Sequence, residues 1–364
     1  VLSIAVSVML VAILQSILAT LDAFANNPNS STRIAVRHKV SITNLLPMRY
    51  EDWIRQQPEV EAVMGMQWFQ GVYIDRSNFF PNFASEPEEI ARIFREEMAA
   101  YSEAEYRDFV QDRNGCIVGA ALAEKYGWRL GTVVPLKSDI FPITVRLNVR
   151  CIFKGSKPSD EQQLHFHYKL LEEGVPFFKG QVGDFWVRAR RPEDVPGLIE
   201  RIDRHFADAP EPTFSETENA FQLEFLRMMG DYATMIHAIT GAVLLAILVV
   251  TANTMALAIR ERGTEIAVFR AMGFTGLGVL GLLVAEGILL TVLGAFLGLG
   301  LAFAAAGAIR QAAGTFLPYL QDFTIGQGTL LLCAHAAMIT GLVSTAIPAY
   351  QAIRRPIVEG LRAL

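Results

Sequence analysis

The chain has 364 residues, 52% of them hydrophobic, with a net charge of −5 and an isoelectric point near 5.8. That balance excludes the general basic field that a nucleic-acid partner requires. The mean hydropathy of +0.30 conceals a partition: strongly apolar flanks enclose a polar, mixed stretch over residues 25–230, so three or four membrane spans and one large extramembrane insert are expected.

Val1–Leu21 is read as the first span. Its apolar run reaches the length that crosses a bilayer, and no clear small-x-small cleavage motif precedes Asp22. A retained span is therefore preferred to a cleaved signal peptide. The opening at Val1, without Met or a basic lead, suggests a chain trimmed at its start.

The insert, residues 22–214, reads as mixed α and β in one or two compact units. Met48–Gln57 is expected to be a helix ending before Pro58. Gly71–Ile74, Val133–Leu136, Ile143–Ile152 and Asp184–Arg188 are rich in β-branched and aromatic residues and read as strands. Glu86–Val110 is acidic with helical spacing, and its charges are read as a solvated face. Gly119–Tyr126 is a short helix stopped at Gly127, and Arg191–Ala207 is an amphipathic helix. No proline separates Ser215–Met229 from the second span, Met235–Ile259. One helix over 215–259 is expected, a stalk continuous with the span, with Gly230 its weak point.

A short charged turn, 260–273, follows. Leu277–Ala308 is the third span, too long for one upright crossing. A short loop, 309–328, leads to the fourth span, Thr329–Ala352, and a tail, 353–364. Arg260, Arg262 and Arg270 in the turn, and Arg354, Arg355 and Arg362 in the tail, place both on the cytoplasmic side. The insert and the 309–328 loop then lie outside. Arg33, Arg37 and Lys39, just past the first span, run against that trend.

Catalytic signatures are missing from the sequence. There is no Gly-Lys pair for a phosphate cradle, no GxSxG and no HExxH. His165 and His167 alternate as strand residues would and share a face with Asp160 and Glu161 near by, but no third metal ligand is identifiable. Cys116 and Cys151 fit either a disulfide outside the cytoplasm or two buried thiols. Within the spans, Glu286 is expected to pair or to function, since isolated charge is costly in lipid. His237 and His335 are expected to make polar contacts inside the bundle. Gly294 and Gly298, four apart, share one helix face and invite close approach, within the bundle or to a second copy. In the turn, Ile266, Phe269 and Met272 form an apolar stripe among Arg260, Arg262, Glu265 and Arg270. That stripe suggests a surface helix seeking a partner groove.

The run Asn253 to Gly273, with Glu261-Arg262, Glu265-Ile266 and Arg270-Ala271-Met272-Gly273, resembles the "ERxxEIxxxRAxG" turn of FtsX-like and MacB-like ABC transporter permeases. Glu286-Gly287 and the ending Pro348 to Arg362, with Pro356, Glu359 and Leu361, are similar to the same family, as is Gly119–Gly127 followed by Leu130-Gly131. The resemblance implies an α-helical four-span bundle with a large mixed α+β extracytoplasmic domain, in a bacterial inner membrane. It implies a coupling helix at Arg260–Gly273 that contacts cytoplasmic ABC ATPase subunits through Arg260, Glu261, Arg262, Glu265, Ile266, Phe269, Arg270, Met272 and Gly273. Asn253, Glu286, Gly294 and Gly298 would serve packing within the membrane. A second permease copy, identical or not, is implied, and a periplasmic adaptor or hydrolase is compatible with the family. This chain would bind no cofactor; full-length MacB proteins carry their own ATPase domain at the N-terminus and this sequence shows none, so ATP and Mg would sit on a separate partner ATPase, unless trimming of the chain removed that domain. The implied activity is mechanotransmission, in export or extraction of a substrate. Regulation of a cell-wall hydrolase is the alternative, and a membrane-anchored periplasmic enzyme or a receptor the more distant ones.

Overall fold

The computed structural model describes every residue except 28, 29, 77, 79, 229, 314–317 and 355–364. The tail residues Arg355, Pro356, Glu359, Leu361 and Arg362 thus lie outside the described residues. In chain order the elements are α1 (Leu2–Ala25), β1 (Arg33–His38), β2 (Leu46–Pro47), α2 (Tyr50–Arg55), β3 (Val60–Trp68), β4 (Gly71–Val72), β5 (Asn82–Ser85), α3 (Ile90–Ile93), α4 (Glu103–Gln111), β6 (Gly115–Gly119), α5 (Ala120–Tyr126), β7 (Val133–Ser138), β8 (Thr144–Phe153), β9 (Leu164–His167), α6 (Tyr168–Gly174), β10 (Gln181–Val182), β11 (Asp184–Ala189), α7 (Val195–His205), β12 (Thr213–Thr217), α8 (Glu218–Met228), α9 (Tyr232–Glu261), α10 (Gly263–Ala271), α11 (Gly276–Ala313) and α12 (Gln327–Ile353). They fall into two compact units, an outer one of residues 22–230 and 311–322 and a membrane one of the remainder.

The outer unit is built on a ten-stranded mixed sheet in the order β12-β1-β11-β3-β5-β9-β6-β8-β7-β4. Alternation sends Ile34, Val36, Val63, Phe185 and Val187 to one face and Ala35, Ala62, Met64 and Trp186 to the other. Tyr50 and Ile54 of α2, Leu122 of α5, Leu171 of α6 and Leu198 and Ile202 of α7 cover the first face. Ile90 and Ile93 of α3 and Tyr106 and Phe109 of α4 cover the second. The sheet is thus buried on both sides, which is why β1, β6 and β9 are buried throughout and β1 and β6 carry no polar/apolar alternation.

Two expectations are corrected here. The acidic stretch 86–110 is two helices, not one: α3 ends at Ile93, and Ala100 then forms a bridge to Lys154. The expected stalk over 215–259 is also interrupted. Its first residues pair as β12, α8 ends at Met228, and Gly230 at φ +110 takes a backbone conformation that residues with a Cβ avoid. Asp231 then caps a new helix by accepting from the Thr234 N–H at 3.1 Å.

In the membrane unit, α1, α9, α11 and α12 are each long and apolar enough to cross a bilayer. At 1.5 Å per residue the 38 residues of α11 span about 57 Å, well beyond the ~30 Å hydrocarbon core. Gly294 and Gly298 of α11 face α1. A Cβ at Gly294 would lie 2.7 Å from Ile4 Cγ2, and one at Gly298 would run into the Ala5 carbonyl oxygen. Ser16 of α1 also hydrogen-bonds Thr329 of α12 at 3.4 Å, and Gln15 donates to Thr240 of α9 at 3.1 Å. Such bonds take the place of the hydrophobic drive that lipid cannot supply between helices.

Candidate functional site at the α9–α11 turn

Glycine at 263 and 273 brackets the turn. Between them α10 is a nine-residue helix whose first turn holds Glu265 and whose last turn holds Arg270, both favourable with the helix dipole. Ile266 is buried among Ile259 of α9, Val279 and Leu283 of α11 and Ala349 of α12, and Phe269 packs at the edge of the same cluster. Phe269 also meets Phe274 edge-on, with centroids 5.6 Å apart. Two polar contacts fix the ends. Arg262 donates to both oxygens of Glu286 at 2.8 and 2.9 Å, and Arg270 donates to the Ile353 carbonyl at 2.8 Å.

The proposed apolar stripe is therefore corrected. Of Ile266, Phe269 and Met272, the first two face the bundle and seat the helix; Met272 alone is exposed. The outward side of α10 is instead Glu265 and Val268, three apart, with exposed Glu261 at the end of α9 and exposed Met272 just past the end of α10. Arg260 is exposed beside it, while Arg262 and Arg270 are spent on internal contacts. Glu286 has its partner, Arg262. Asn253 is exposed on α9, and His237 and His335 point outward too, not into the bundle as expected; His335 Nδ1 meets its own Leu331 carbonyl at 2.7 Å.

Elsewhere, the outer unit holds a buried ionic node that the sequence did not disclose. Arg33 of β1 and Arg188 of β11 are cross-strand partners, and both are fully buried. Arg33 binds Glu97 at 2.6 Å, Glu96 at 3.2 Å and also Glu218, the first residue of α8. Arg188 donates to Glu96 at 2.9 Å and to the Ile93 carbonyl at 2.8 Å. Burial alone would lower the Arg33 pKa; Glu218 and Glu97 outweigh it, so the shift is upward and the cation persists. The acidic run read as a solvated face thus supplies counterions to two buried guanidiniums. Asn27 and Ser30, just past α1, join in by bonds to Glu97 at 3.3 Å and to Asn219 at 2.5 Å. The connection leaving α1 and the one leading to α9 are held at one point.

His165 and His167 are core residues. His165 Nδ1 pairs with Ser85 Oγ at 3.0 Å, and His167 Nε2 with the Phe109 carbonyl at 2.8 Å. Burial pushes the His165 imidazole down to about 3. Among the described residues no three His, Cys, Asp or Glu side chains converge to hold a metal. Cys116 and Cys151 are free and buried on opposite faces of the sheet. A bulge explains this: Cys116 pairs with Val149 but Ile117 with Cys151, so Arg150 is the extra residue that turns the strand over. Of the two readings the cysteines allowed, the structure has the separate thiols.

Comparison with known proteins agrees with this architecture. The profile of the MacB-like periplasmic core domain matches residues 1–205, and that of the FtsX-like permease C-terminal region matches residues 238–357. No curated protein sequence matches the chain. Among solved structures, the extracellular domain of the noncanonic ABC-type transporter YknZ from Gram-positive bacteria is 12% identical, with a TM-score of 0.39, covering 51% of this chain and 100% of that one. The periplasmic region of MacB from Actinobacillus actinomycetemcomitans is 10% identical, with a TM-score of 0.40, covering 55% of this chain and 96% of that one. With family profiles on the outer unit and on the last three spans, the chain belongs to the MacB-like and FtsX-like family of ABC transporter permeases.

Proposed function

We propose that this permease couples ATP hydrolysis on separate cytoplasmic ABC ATPase subunits to movement of its extracytoplasmic domain, and that α10 is the point of contact. The observation that carries this reading is the outward face of α10. Glu265 and Val268 project from a helix whose other side is anchored to three spans, with exposed Glu261 just before it and exposed Met272 just after it. An exposed apolar pair flanked by carboxylates on so short a helix fits a groove with an apolar floor and basic rims. The helix is held by Ile266, by Arg262–Glu286 and by Arg270–Ile353, so a push on it is passed to α11 and α12. ATP and Mg belong to the ATPase, and this chain acts as a non-catalytic subunit in a bacterial inner membrane. A second permease copy completes the assembly.

The test is affinity purification of the full chain in mild detergent. An ATP-hydrolysing polypeptide should accompany the wild type and be lost with the double substitution Glu265→Arg and Val268→Asp, while membrane insertion is retained. Co-purification of the ATPase with that variant at wild-type yield, or purified assemblies devoid of any ATPase, would refute the assignment. Phe269→Ala, in contrast, should loosen the seat of α10 and not its docking face.

A further inference from the structure

Residues 318–322 form a short helical turn on the way from α11 to α12, and they pack as part of the outer unit. Asp322 and Gln321 hold the turn there. The Asp322 carboxylate accepts from the Ser159 backbone N–H at 3.2 Å and from the Ser159 hydroxyl. Gln162 donates its amide to Gln321 at 3.0 Å, and Leu320 is buried. Ser159 precedes the 3-10 turn Asp160–Gln162, whose half-buried Asp160 accepts from the Lys157 backbone N–H at 3.0 Å. The charged groups facing Asp160 are Glu97, from the buried ionic node, Asp322, from the captured turn, and Lys157, on its own loop. Two carboxylates thus converge on a third across the contact that holds the turn.

We propose that this contact is a proton-operated clasp, in which protonated Asp160 lets Asp322 remain on Ser159 and ionised Asp160 drives the 318–322 turn away. Burial, then Glu97 and Asp322, push the Asp160 carboxyl up to about 6, against the Lys157 N–H and charge. Once the turn leaves, Asp322 withdraws its charge and the Asp160 carboxyl falls part of the way back toward the ordinary carboxylate range, while burial and Glu97 still hold it up. The closed state then binds more protons than the open one around and just below about pH 6. Its stability therefore falls as pH rises through that window and is level above it. Withdrawal of one neighbouring carboxylate, screened by solvent at a half-buried site, corresponds to about threefold in the opening equilibrium. Acidity outside would set whether the link between the third and fourth spans travels with the outer unit. The proposal stands on the outer unit alone and is independent of ATPase docking.

Hydrogen exchange of the full chain in lipid nanodiscs, corrected for intrinsic rates, tests it through the Ser159 amide. Protection should fall about threefold between about pH 5 and about pH 7.5. Asp160→Asn should hold the protected value at both. Lys157→Gln, which removes the facing cation but keeps the backbone N–H, should move the midpoint to higher pH. Wild-type protection that ignores pH, an Asp160→Asn variant that keeps the wild-type response, or an unmoved midpoint in Lys157→Gln would each overturn the clasp.

Discussion

Replacing Arg33 with Met tests whether the outer unit is held together by the buried ionic node. The guanidinium is fully buried and touches Glu96, Glu97 and Glu218. Met fills much of the same volume, so the cavity contribution is small and the loss is electrostatic. Two largely buried carboxylates, Glu97 and Glu218, would be left facing each other without their cation. Removing one partner of a buried ion pair costs about 3–5 kcal/mol. For a unit of about 150–250 residues each kcal/mol lowers Tm by about 2–4 °C, so a fall of roughly 6–20 °C is expected. The assay is convenient because all four tryptophans, Trp53, Trp68, Trp128 and Trp186, lie in the outer unit. Thermal fluorescence of the full chain in nanodiscs therefore reports this unit without interference from the spans. Arg95→Met is the control: Arg95 is about half exposed, its partners are Glu61 and Glu96, and loss of such surface pairs costs about 0–1 kcal/mol. A Tm for Arg33→Met within about 2 °C of wild type, or equal to that of Arg95→Met, would refute the reasoning.

Further consequences follow from other sites. Gly298→Leu should drive a side chain into the Ala5 carbonyl of α1 and cost at least about 1–3 kcal/mol of bundle stability. It would be read as earlier aggregation on heating in detergent, whereas Gly300→Leu, which meets open space, should be silent. Cys116 and Cys151 should resist alkylation until the chain is unfolded, with identical mobility in reducing and non-reducing gels. Burial raises both thiols, Cys151 to about 12, so neither supplies reactive thiolate. His165 has its proton affinity lowered by burial, so its contribution to stability is complete above about pH 6.5 and is lost as pH falls toward 3. At about pH 5 that loss is roughly 2 kcal/mol, and His165→Asn should show a smaller Tm decrease between about pH 7 and pH 5 than wild type.

The spans were legible because the lipid requirement is local. Some 20 consecutive apolar residues satisfy it whatever lies elsewhere, and the expected fourth span, Thr329–Ala352, differs from α12 by only a few residues. The α5 helix and its stop at Gly127, φ +67, were legible for the same reason, since a left-handed cap is decided by one residue. The strands β1 and β6 escaped because burial on both faces removes the two-residue alternation that marks a strand. The acidic stretch misled because its carboxylates answer to arginines more than 60 positions away. The α10 turn stood out by its charge and its repeat, but which of its sides was free depended on three helices it meets only in the folded state.

Sequence alone determined that this chain enters a membrane four times, that a mixed domain sits between the first two entries, and that a charged turn joins the second and third. Each of these follows from composition within a window of neighbouring residues. The folded chain decided which carboxylates are buried beside which guanidiniums, which glycines receive another helix, and which face of α10 remains for a partner. Those are distances between residues remote in sequence, and only packing brings them within reach of a hydrogen bond.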